Sequence, residues 1–154
     1  MCIVDWILEG GYSMKLKYLL ENVEYEVIKG LDDIEIGALV YDSRKVQPGD
    51  VFVCIKGAKW DAHDLIPQVI EAGAVAVVVE KALENNVLDD ISDDVAVIKT
   101  NSTRNALACM SAAFFGHPST KIVTIGVTGT KGKATTAYMI RAVLQKAGID
   151  TGLI

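Results

Sequence analysis

The sequence predicts an α/β fold in which short buried strands alternate with helices. Three observations indicate this class: apolar runs rich in β-branched residues, intervening segments with helical spacing of their apolar positions, and turn signals at the junctions. Hydrophobic residues make up 51% of the chain and charged residues 23%, which is enough apolar material for a core. The net charge of −5 argues against a general nucleic-acid binder, which normally carries a basic face.

The first predicted elements lie in the amino-terminal third of the chain. Leucines with helical spacing predict a short amphipathic helix over residues 14–22. Apolar and charged residues then alternate, which predicts a half-exposed strand over residues 23–27. Another strand is expected over residues 36–41, and the turn Pro48-Gly49-Asp50 precedes a strand over residues 51–55.

The alternation of elements continues to residue 116. Pro67 is compatible with a helix only in its first turn, so we expect the loop of residues 57–64 to lead into a helix that runs to residue 72. The acidic stretch of residues 81–94 is interpreted as irregular, solvated surface. The remaining predicted elements are a buried strand over 74–79, a strand over 95–98 and a helix over 102–115, capped by Asn101 or Ser102 and closed by Gly116 and Pro118.

The chain is predicted to divide into four segments. Met14 followed by Lys-Leu-Lys is typical of a start, so residues 1–13 are interpreted as an amino-terminal extension. Residues 14–116 form the α/β domain, residues 117–120 a linker, and residues 121–154 the beginning of a second, incomplete domain. The apolar run in the extension is short and is broken by Asp5, so it predicts neither a signal peptide nor a membrane span.

The positions of the cysteines and histidines indicate the cellular compartment and whether a metal site is expected. Cys2, Cys54 and Cys109 are widely spaced without a Cys-x-x-Cys pair, which is typical of reduced cysteines in a cytoplasmic protein. His63 and His117 are the chain's two histidines, and neither has a partner at ligand spacing. The sequence therefore predicts no metal site made from protein side chains alone, and no membrane partner.

A phosphate-binding loop is predicted near the carboxyl end of the chain. The apolar run of residues 122–127 has the composition of a central parallel strand, and residues 134–147 have helical spacing. Glycines in the intervening loop let backbone amides converge on an anion, and a helix amino terminus adds roughly half a positive charge. Lys133 is the candidate catalytic residue, because its ammonium group can reach the terminal phosphates of a nucleotide. The alternative is a plain glycine-rich turn between strand and helix.

Two positions depart from the usual phosphate-loop pattern. Val127 stands where a glycine is usual, five residues before Gly132. Ala134 stands where a serine or threonine hydroxyl normally ligates Mg²⁺, and alanine has no oxygen to offer. Thr135 is no automatic substitute, because one step along a helix turns the side chain by about 100°. We therefore expect ATP with Mg²⁺ to bind more weakly, and no metal ligand from the protein at this position.

Several stretches, in this order and separation, resemble those of the Mur ligases, and in particular the branch that adds the third residue to UDP-N-acetylmuramoyl-L-alanyl-D-glutamate. The resemblance spans nearly all of residues 14–154. It implies an amino-terminal α/β domain that holds the UDP end of the substrate, followed by the first strand, phosphate loop and helix of a central ATP-binding domain. The stretches that carry it are Asp42-Ser43-Arg44-Lys45-Val46 with residues 48–53, residues 57–63, residues 73–77, Phe115-Gly116-His117-Pro118-Ser119, and residues 126–133.

The resemblance also implies roles for individual residues. Ser43 is the best candidate to contact the UDP-sugar, with Tyr41 beside it. Ala58, Lys59 and Trp60 match the loop that closes over the uridine nucleotide. The residues that match the ATP loop are Gly129, Thr130, Lys131, Gly132, Lys133, Ala134 and Thr135.

Some of these positions also have plain structural interpretations. On its own, Asp42-Ser43-Arg44 predicts a capped turn with a solvated arginine. Trp60 lies in a predicted loop, where a tryptophan more often covers a core than stacks on a base. Ala62 replaces the glycine that is common at this point of the resembled loop, which leaves the shape of that loop open.

The activity that the resemblance implies is ATP-dependent amide formation in peptidoglycan precursor synthesis, in the cytoplasm. ATP phosphorylates the terminal carboxylate of UDP-MurNAc-L-Ala-D-Glu, and an amino acid, meso-diaminopimelate or L-lysine, displaces phosphate from the acyl phosphate. Lys133 and Mg²⁺ would screen the repulsion between the carboxylate and the γ-phosphate. The family's further Mg²⁺ ligands and amino-acid pocket have no counterpart in the chain, so we expect this chain alone to be inactive.

Three alternatives remain open. A sibling ligase, which adds D-Ala-D-Ala or is a folylpolyglutamate synthetase, is the nearest, although Phe-Phe-Gly-His-Pro-Ser at residues 114–119 favours the tripeptide branch. A non-catalytic UDP-sugar-binding module is the second, with Ala134 marking a lost ATPase. A small phosphate-loop kinase is the third, but its loop would open the protein, whereas more than a hundred residues precede the loop here.

Overall fold

The computed structural model describes residues 14–57 and 60–154, and these divide into two units between Pro118 and Ser119. The extension predicted over residues 1–13 lies outside the described residues, as do Ala58 and Lys59. The second unit contains α5 (Lys133–Lys146). The elements of the first unit, in chain order, are β1 (Met14–Lys15), α1 (Leu16–Leu19), β2 (Tyr25–Lys29), β3 (Glu35–Ile36), β4 (Leu39–Val40), β5 (Val51–Val53), α2 (Ile66–Glu71), β6 (Ala76–Val79), α3 (Asn85–Asp90), β7 (Ala96–Thr100) and α4 (Thr103–Phe114).

The first unit is built on a five-stranded sheet in the order β2-β7-β6-β5-β4. Strands β4, β5, β6 and β7 run parallel, and β2 joins the edge antiparallel to β7. A separate two-stranded sheet pairs β1 with β3, with Met14 opposite Ile36. The α/β class predicted from the alternation of elements is therefore confirmed, with a mixed and mostly parallel main sheet.

Both faces of the main sheet are covered at its central strands β5, β6 and β7, whose side chains point alternately to opposite sides, whereas the edge strand β2 is mostly exposed. One face packs against α1 and α4, and α4 contributes Ala106 and Met110 to this cluster. The other face centres on Phe52, with Ile66 and Val69 from α2. Every residue of β5 and β6 is buried, which explains why their sequences are continuous apolar runs rather than alternating ones.

Most of the other predicted elements of the first unit form with small shifts in their boundaries. The predicted helix after the loop begins as a 3₁₀ turn over Ala62–Leu65 and continues as α2, with Pro67 in its first turn as expected. Ser102 caps α4, since its hydroxyl accepts a hydrogen bond from the Asn105 amide at 3.4 Å. These elements were predictable because their signals are local in sequence.

The helix predicted over residues 14–22 is wrong in its length. Only Leu16–Leu19 is helical, and Met14–Lys15 forms a strand instead. The backbone amides of Leu16 and Lys17 donate to the carbonyls of Ile34 and Asp32, each at 2.9 Å. These bonds tie the segment to the stretch that precedes β3, so the helix starts later than predicted. The leucines with helical spacing are nevertheless buried, so the pattern located the core correctly.

The single strand predicted over residues 36–41 is also wrong, because the segment is divided between the two sheets. The amide of Gly37 donates to the carbonyl of Gly49 at 2.8 Å, and the amide of Ala38 donates to Asp50 Oδ1 at 3.1 Å. These bonds leave β3 paired with β1 and β4 paired with β5. A buried carboxylate from the following turn therefore redirects the chain.

The acidic stretch of residues 81–94 contains a helix, α3, where irregular surface was expected. Val87 and Leu88 pack against the second core cluster, and the next residue after the helix, Ile91, is buried. Lys29 donates through Nζ to the carbonyl of Leu88 at 2.9 Å and to that of Ile91. Apolar packing and a distant lysine at the helix end thus stabilise a segment whose composition is mostly polar.

The second unit differs from the prediction in one respect. The helix expected over residues 134–147 forms as α5, but no strand forms over residues 122–127. A strand depends on hydrogen bonds to a neighbour, and the residues described in this unit include no strand to pair with it. Ile122, Val123 and Ile125 are consequently exposed. Within the described part of the chain, no helix has the length and apolarity needed to cross a bilayer.

Candidate functional site

Several polar and aromatic residues of the first unit lie just after the carboxyl ends of the parallel strands. In open α/β sheets this edge is where ligands bind, because the loops that leave the strands form a crevice there. Tyr41 follows β4, Glu80 and Lys81 follow β6, and Asn101 follows β7. The loop that leaves β5 carries Trp60. Residues distant in sequence therefore lie along one edge of one sheet.

The turn after β4 is closed by an ion pair. Asp42 accepts from the Arg44 amide at 3.2 Å and from the guanidinium at 2.9 Å (Nε to Oδ1) and 2.7 Å (Nη2 to Oδ2). Hydrogen bonds from Arg44 lower the pKa of Asp42 to about 2. The predicted capped turn with a solvated arginine is thus confirmed. Ser43 begins this turn and is half-buried, while Tyr41 beside it is exposed.

Trp60 lies on the surface and does not cover a core. Its side chain is 85% exposed, and its backbone carbonyl accepts a hydrogen bond from the Gly57 amide at 2.9 Å. The interpretation of this residue as a core cover is therefore wrong. Ala62 has no left-handed φ, so the 3₁₀ turn that it opens forms without the expected glycine.

Asp61 follows Trp60 directly, and a buried histidine, His63, lies two residues further on. Asp61 Oδ1 accepts from the His63 amide at 3.0 Å and contacts His63 Nδ1, and Asp61 Oδ2 accepts from Lys81 Nζ at 2.9 Å. Burial opposes ionisation of Asp61, but the hydrogen bonds from Lys81 and His63 outweigh it and hold the pKa of this carboxyl well below its usual range. Asp61 is therefore an anion that organises the end of the β5 loop.

The next contacts run from this histidine to α4. The Glu80 amide donates to His63 Nε2 at 3.2 Å. The Glu80 carboxylate accepts from the Thr103 amide at 3.2 Å and from the Thr103 hydroxyl at 2.9 Å, and these bonds lower the pKa of Glu80. Arg104 donates to the carbonyl of Lys56 at 3.0 Å. The loop after β5, the end of β6 and the start of α4 are thus connected by hydrogen bonds.

Sequence reasoning missed this network. Two signals could have revealed it: the Asp-x-His spacing of Asp61 and His63, which allows a side-chain contact within one turn, and the position of Glu80 immediately after a buried parallel strand. The site residues that were predicted at this edge of the sheet came from the family resemblance and do not include Asp61, His63 or Glu80. Of the predicted residues, Tyr41, Ser43 and Trp60 are described, and Ala58 and Lys59 lie outside the described residues.

The phosphate-loop candidates lie in the second unit at the start of α5. Gly132 immediately precedes the helix with φ of 77°, and a side-chain carbon placed there would meet nothing within 4 Å. Lys133 Nζ donates to the carbonyl of Gly129 at 2.7 Å, so the lysine side chain folds back over the loop. Residues 128–136 are all exposed. An anion therefore has open access to the amides that begin the helix, and the polyphosphate of ATP fits this arrangement.

A protein-ligated Mg²⁺ fits the same place less well. Ala134 lies in the first turn of α5 and presents only a methyl group. Across the described residues, no group of three or more histidine, cysteine, aspartate or glutamate side chains could hold a metal ion. The side chains present thus offer a nucleotide a cation in Lys133, but they offer a metal no hydroxyl at the usual position.

Comparisons with known proteins place these features in a wider group. The sequence model described as "Mur ligase family, catalytic domain" matches residues 35–115, just over half of the chain and all within the first unit. The matched residues include the edge formed by Tyr41, Trp60 and Glu80. They do not include the phosphate-loop candidates of the second unit.

Relatives with curated names extend the match to nearly the whole chain. UDP-N-acetylmuramoyl-L-alanyl-D-glutamate–2,6-diaminopimelate ligases from Clostridium perfringens and Syntrophomonas wolfei are 44% and 43% identical over 141 residues, which is 92% of this chain and 28% of each relative. Among solved structures, MurF from Acinetobacter baumannii aligns with a TM-score of 0.59 and 25% identity over 88% of this chain and 28% of that chain. The chain therefore spans little more than a quarter of the length of the curated relatives that it matches.

Proposed function

This chain belongs to the Mur ligase family, and from that premise we propose that it is the amino-terminal part of an ATP-dependent ligase acting on UDP-MurNAc-L-Ala-D-Glu in cytoplasmic peptidoglycan precursor synthesis. The observation that carries the proposal is the 44% identity to a diaminopimelate ligase over 92% of the chain. The same relatives favour diaminopimelate over L-lysine as the added amino acid. Residues 14–116 are assigned to substrate binding, 117–120 to a linker and 121–154 to the start of the ATP domain.

In the first unit, the proposed ligand is the UDP end of the substrate. Trp60 offers an exposed aromatic face, which can stack on uracil because every nucleobase has a π-face. Tyr41 adds a second exposed aromatic group, and the Ser43 hydroxyl beside it can donate or accept a hydrogen bond. Ala58 and Lys59 belong to the same proposed loop.

In the second unit, the proposed ligand is ATP, whose bound form supplies the phosphoryl group that activates a carboxylate. Backbone amides of Gly129, Thr130, Lys131 and Gly132 and the amino terminus of α5 would bind its phosphates. Lys133 would screen the electrostatic repulsion between the substrate carboxylate and the γ-phosphate. Ala134 would supply no ligand to Mg²⁺. The isolated chain is expected to bind the substrate without completing ligation.

Binding of UDP-MurNAc-L-Ala-D-Glu to the 154-residue chain, measured by isothermal titration calorimetry, tests the first assignment. Replacing Trp60 with alanine removes one stacking face and should weaken binding about tenfold. Tyr18→Ala is the matched control, because Tyr18 is also exposed but belongs to α1 and not to a loop that follows one of the parallel strands. Absence of binding to the wild-type chain, or equal weakening by both variants, would contradict the proposal.

A second candidate function, a UDP-sugar-binding module without ATPase activity, is favoured by Ala134. Titrating ATP with Mg²⁺ into the wild-type chain and into Ala134→Thr separates the two. A ligase domain predicts tighter binding in the variant, because a hydroxyl is restored at the metal position. If the wild-type chain binds the UDP-sugar and neither it nor Ala134→Thr binds ATP, the result would instead support the module. If both bind ATP with the same affinity, the result would contradict the role given to position 134.

A further inference from the structure

We propose that His63 is a positioning residue: a neutral imidazole that fixes the backbone beside Trp60 to the end of β6. The inference rests on the proposed function, because it concerns how the uridine-binding edge is held in shape. Neither a substrate contact nor a proton transfer is assigned to His63. Its side chain is only 2% exposed, and its two ring nitrogens contact the Asp61 carboxylate and the Glu80 amide.

The hydrogen bonds of His63 determine which ring nitrogen carries the proton. The Glu80 amide, which can only donate, points to Nε2 at 3.2 Å, so Nε2 must carry a lone pair. The proton of the neutral ring then lies on Nδ1 and is donated to Asp61 Oδ1. The geometry thus assigns the Nδ1–H tautomer, in which both nitrogens of a buried ring are satisfied.

The same bonds connect three separate elements of the sheet edge. Asp61 is joined to Lys81 through its second oxygen at 2.9 Å, and the Glu80 side chain is joined to Thr103 at the start of α4. Trp60 precedes Asp61 directly, so one side of its backbone is anchored while its ring stays exposed. An aromatic ring on a fixed backbone loses less conformational entropy when a ligand stacks on it. His63 therefore contributes to affinity without contacting the ligand.

Two substitutions separate the two bonds of the ring. In His63→Gln the longer side chain brings its amide oxygen near the position of Nε2, where it can accept from Glu80. In His63→Asn the shorter side chain brings its amide nitrogen near the position of Nδ1, where it can donate to Asp61, but the bond to β6 is lost. We expect His63→Asn to raise the Kd for UDP about tenfold, the effect of one buried hydrogen bond, while His63→Gln stays near the wild-type value.

A destabilised control distinguishes positioning from general loss of stability. Val69 lies on α2 and packs in the core cluster centred on Phe52. Val69→Ala removes buried methyl groups from this cluster and removes none of the hydrogen-bonding groups around His63. Measured below its unfolding temperature, its Kd for UDP should equal that of the wild-type chain. A Val69→Ala variant that weakens binding as much as His63→Asn would overturn the proposal, as would equal weakening by His63→Gln and His63→Asn.

Two measurements decide the proposal without any ligand. Imidazole ¹⁵N chemical shifts should show the Nδ1–H tautomer in the wild-type chain, and an Nε2–H tautomer would overturn the assignment. In a Trp6→Phe background, the fluorescence anisotropy of Trp60 should fall in His63→Asn and not in His63→Gln; no change in either variant would equally overturn it. If the wild-type chain binds no UDP compound, the proposed function fails, whereas these two measurements still judge the positioning role.

Discussion

Replacing Thr103 with valine should destabilise the first unit through the loss of one hydrogen bond. Thr103 is fully buried, and its hydroxyl donates to the Glu80 carboxylate at 2.9 Å. Valine has nearly the same shape, so the change removes the donor and leaves the packing. Since hydrogen bonds to charged groups contribute about 1.5–3 kcal/mol, we expect the free energy of unfolding to fall by about 2 kcal/mol at pH 7.

The pH dependence of this loss identifies its cause. Hydrogen bonds from the amide and then the hydroxyl of Thr103 lower the pKa of Glu80 in the folded protein. A carboxyl with a lowered folded pKa contributes stability above its unfolded pKa, about 4.3, and loses that contribution as the pH falls through the folded value. The difference between wild type and Thr103→Val should therefore be largest near neutral pH and should narrow as the pH falls below about 4.3.

Native-state hydrogen exchange of the β6 and β7 amides is the suitable assay, because these amides report the opening of the first unit alone. Thr103→Ser is the matched control: it keeps the hydroxyl and loses one buried methyl group, which costs about 1 kcal/mol. The reasoning is refuted if the valine variant is no less stable than the serine variant, or if the difference from wild type is the same at every pH.

Three further changes test other parts of the structure. Gly30→Ala should lower the free energy of unfolding by about 3 kcal/mol and Gly49→Ala by about 1–2 kcal/mol. Both glycines have a positive φ (73° and 94°), but only at Gly30 would the added carbon lie 2.7 Å from the carbonyl oxygen of Val95. Equal decreases in Tm for the two variants would argue against this crowding. Lys29→Met should cost about 2 kcal/mol and accelerate hydrogen exchange in α3, where it removes the donor to two carbonyls at the helix end; unchanged exchange would contradict that role. Burial raises the pKa of the Cys54 thiol to about 12, so iodoacetamide at pH 8 should label this thiol only in urea; label found on the Cys54 peptide of the folded chain, identified by mass spectrometry, would contradict its burial, whereas label on the less buried Cys109 would not.

The sequence allowed much of the first unit to be predicted, because the signals concerned are local. The apolar run that forms β6 identified a strand buried on both faces, and Ser102 marked the start of α4. The turn at Asp42 was equally readable, since its capping bonds span only two residues. In each case the side chains that stabilise the element lie within it or next to it.

The failures arose where the stabilising contact is distant. Lys29 lies 59 residues before the Leu88 carbonyl that it binds, so the composition around α3 gave no sign of this support. The division of the chain at Gly37 depends on a carboxylate 12 residues away from Ala38. In the site, Glu80 and Thr103 are 23 residues apart and meet only because β6 and β7 are neighbours. Pairing of strands, rather than any pattern in the sequence, brings these groups together.

The contact between Lys133 and the Gly129 carbonyl has a consequence for how the proposed nucleotide would be bound. A lysine side chain that moves freely loses up to about 2 kcal/mol of rotational freedom when a ligand immobilises it. In this structure the ammonium group already donates to the loop at 2.7 Å, so much of that freedom is restricted beforehand. Recruitment of the lysine by a phosphate then amounts to exchanging one oxygen acceptor for another over a short movement, with a correspondingly smaller entropic penalty.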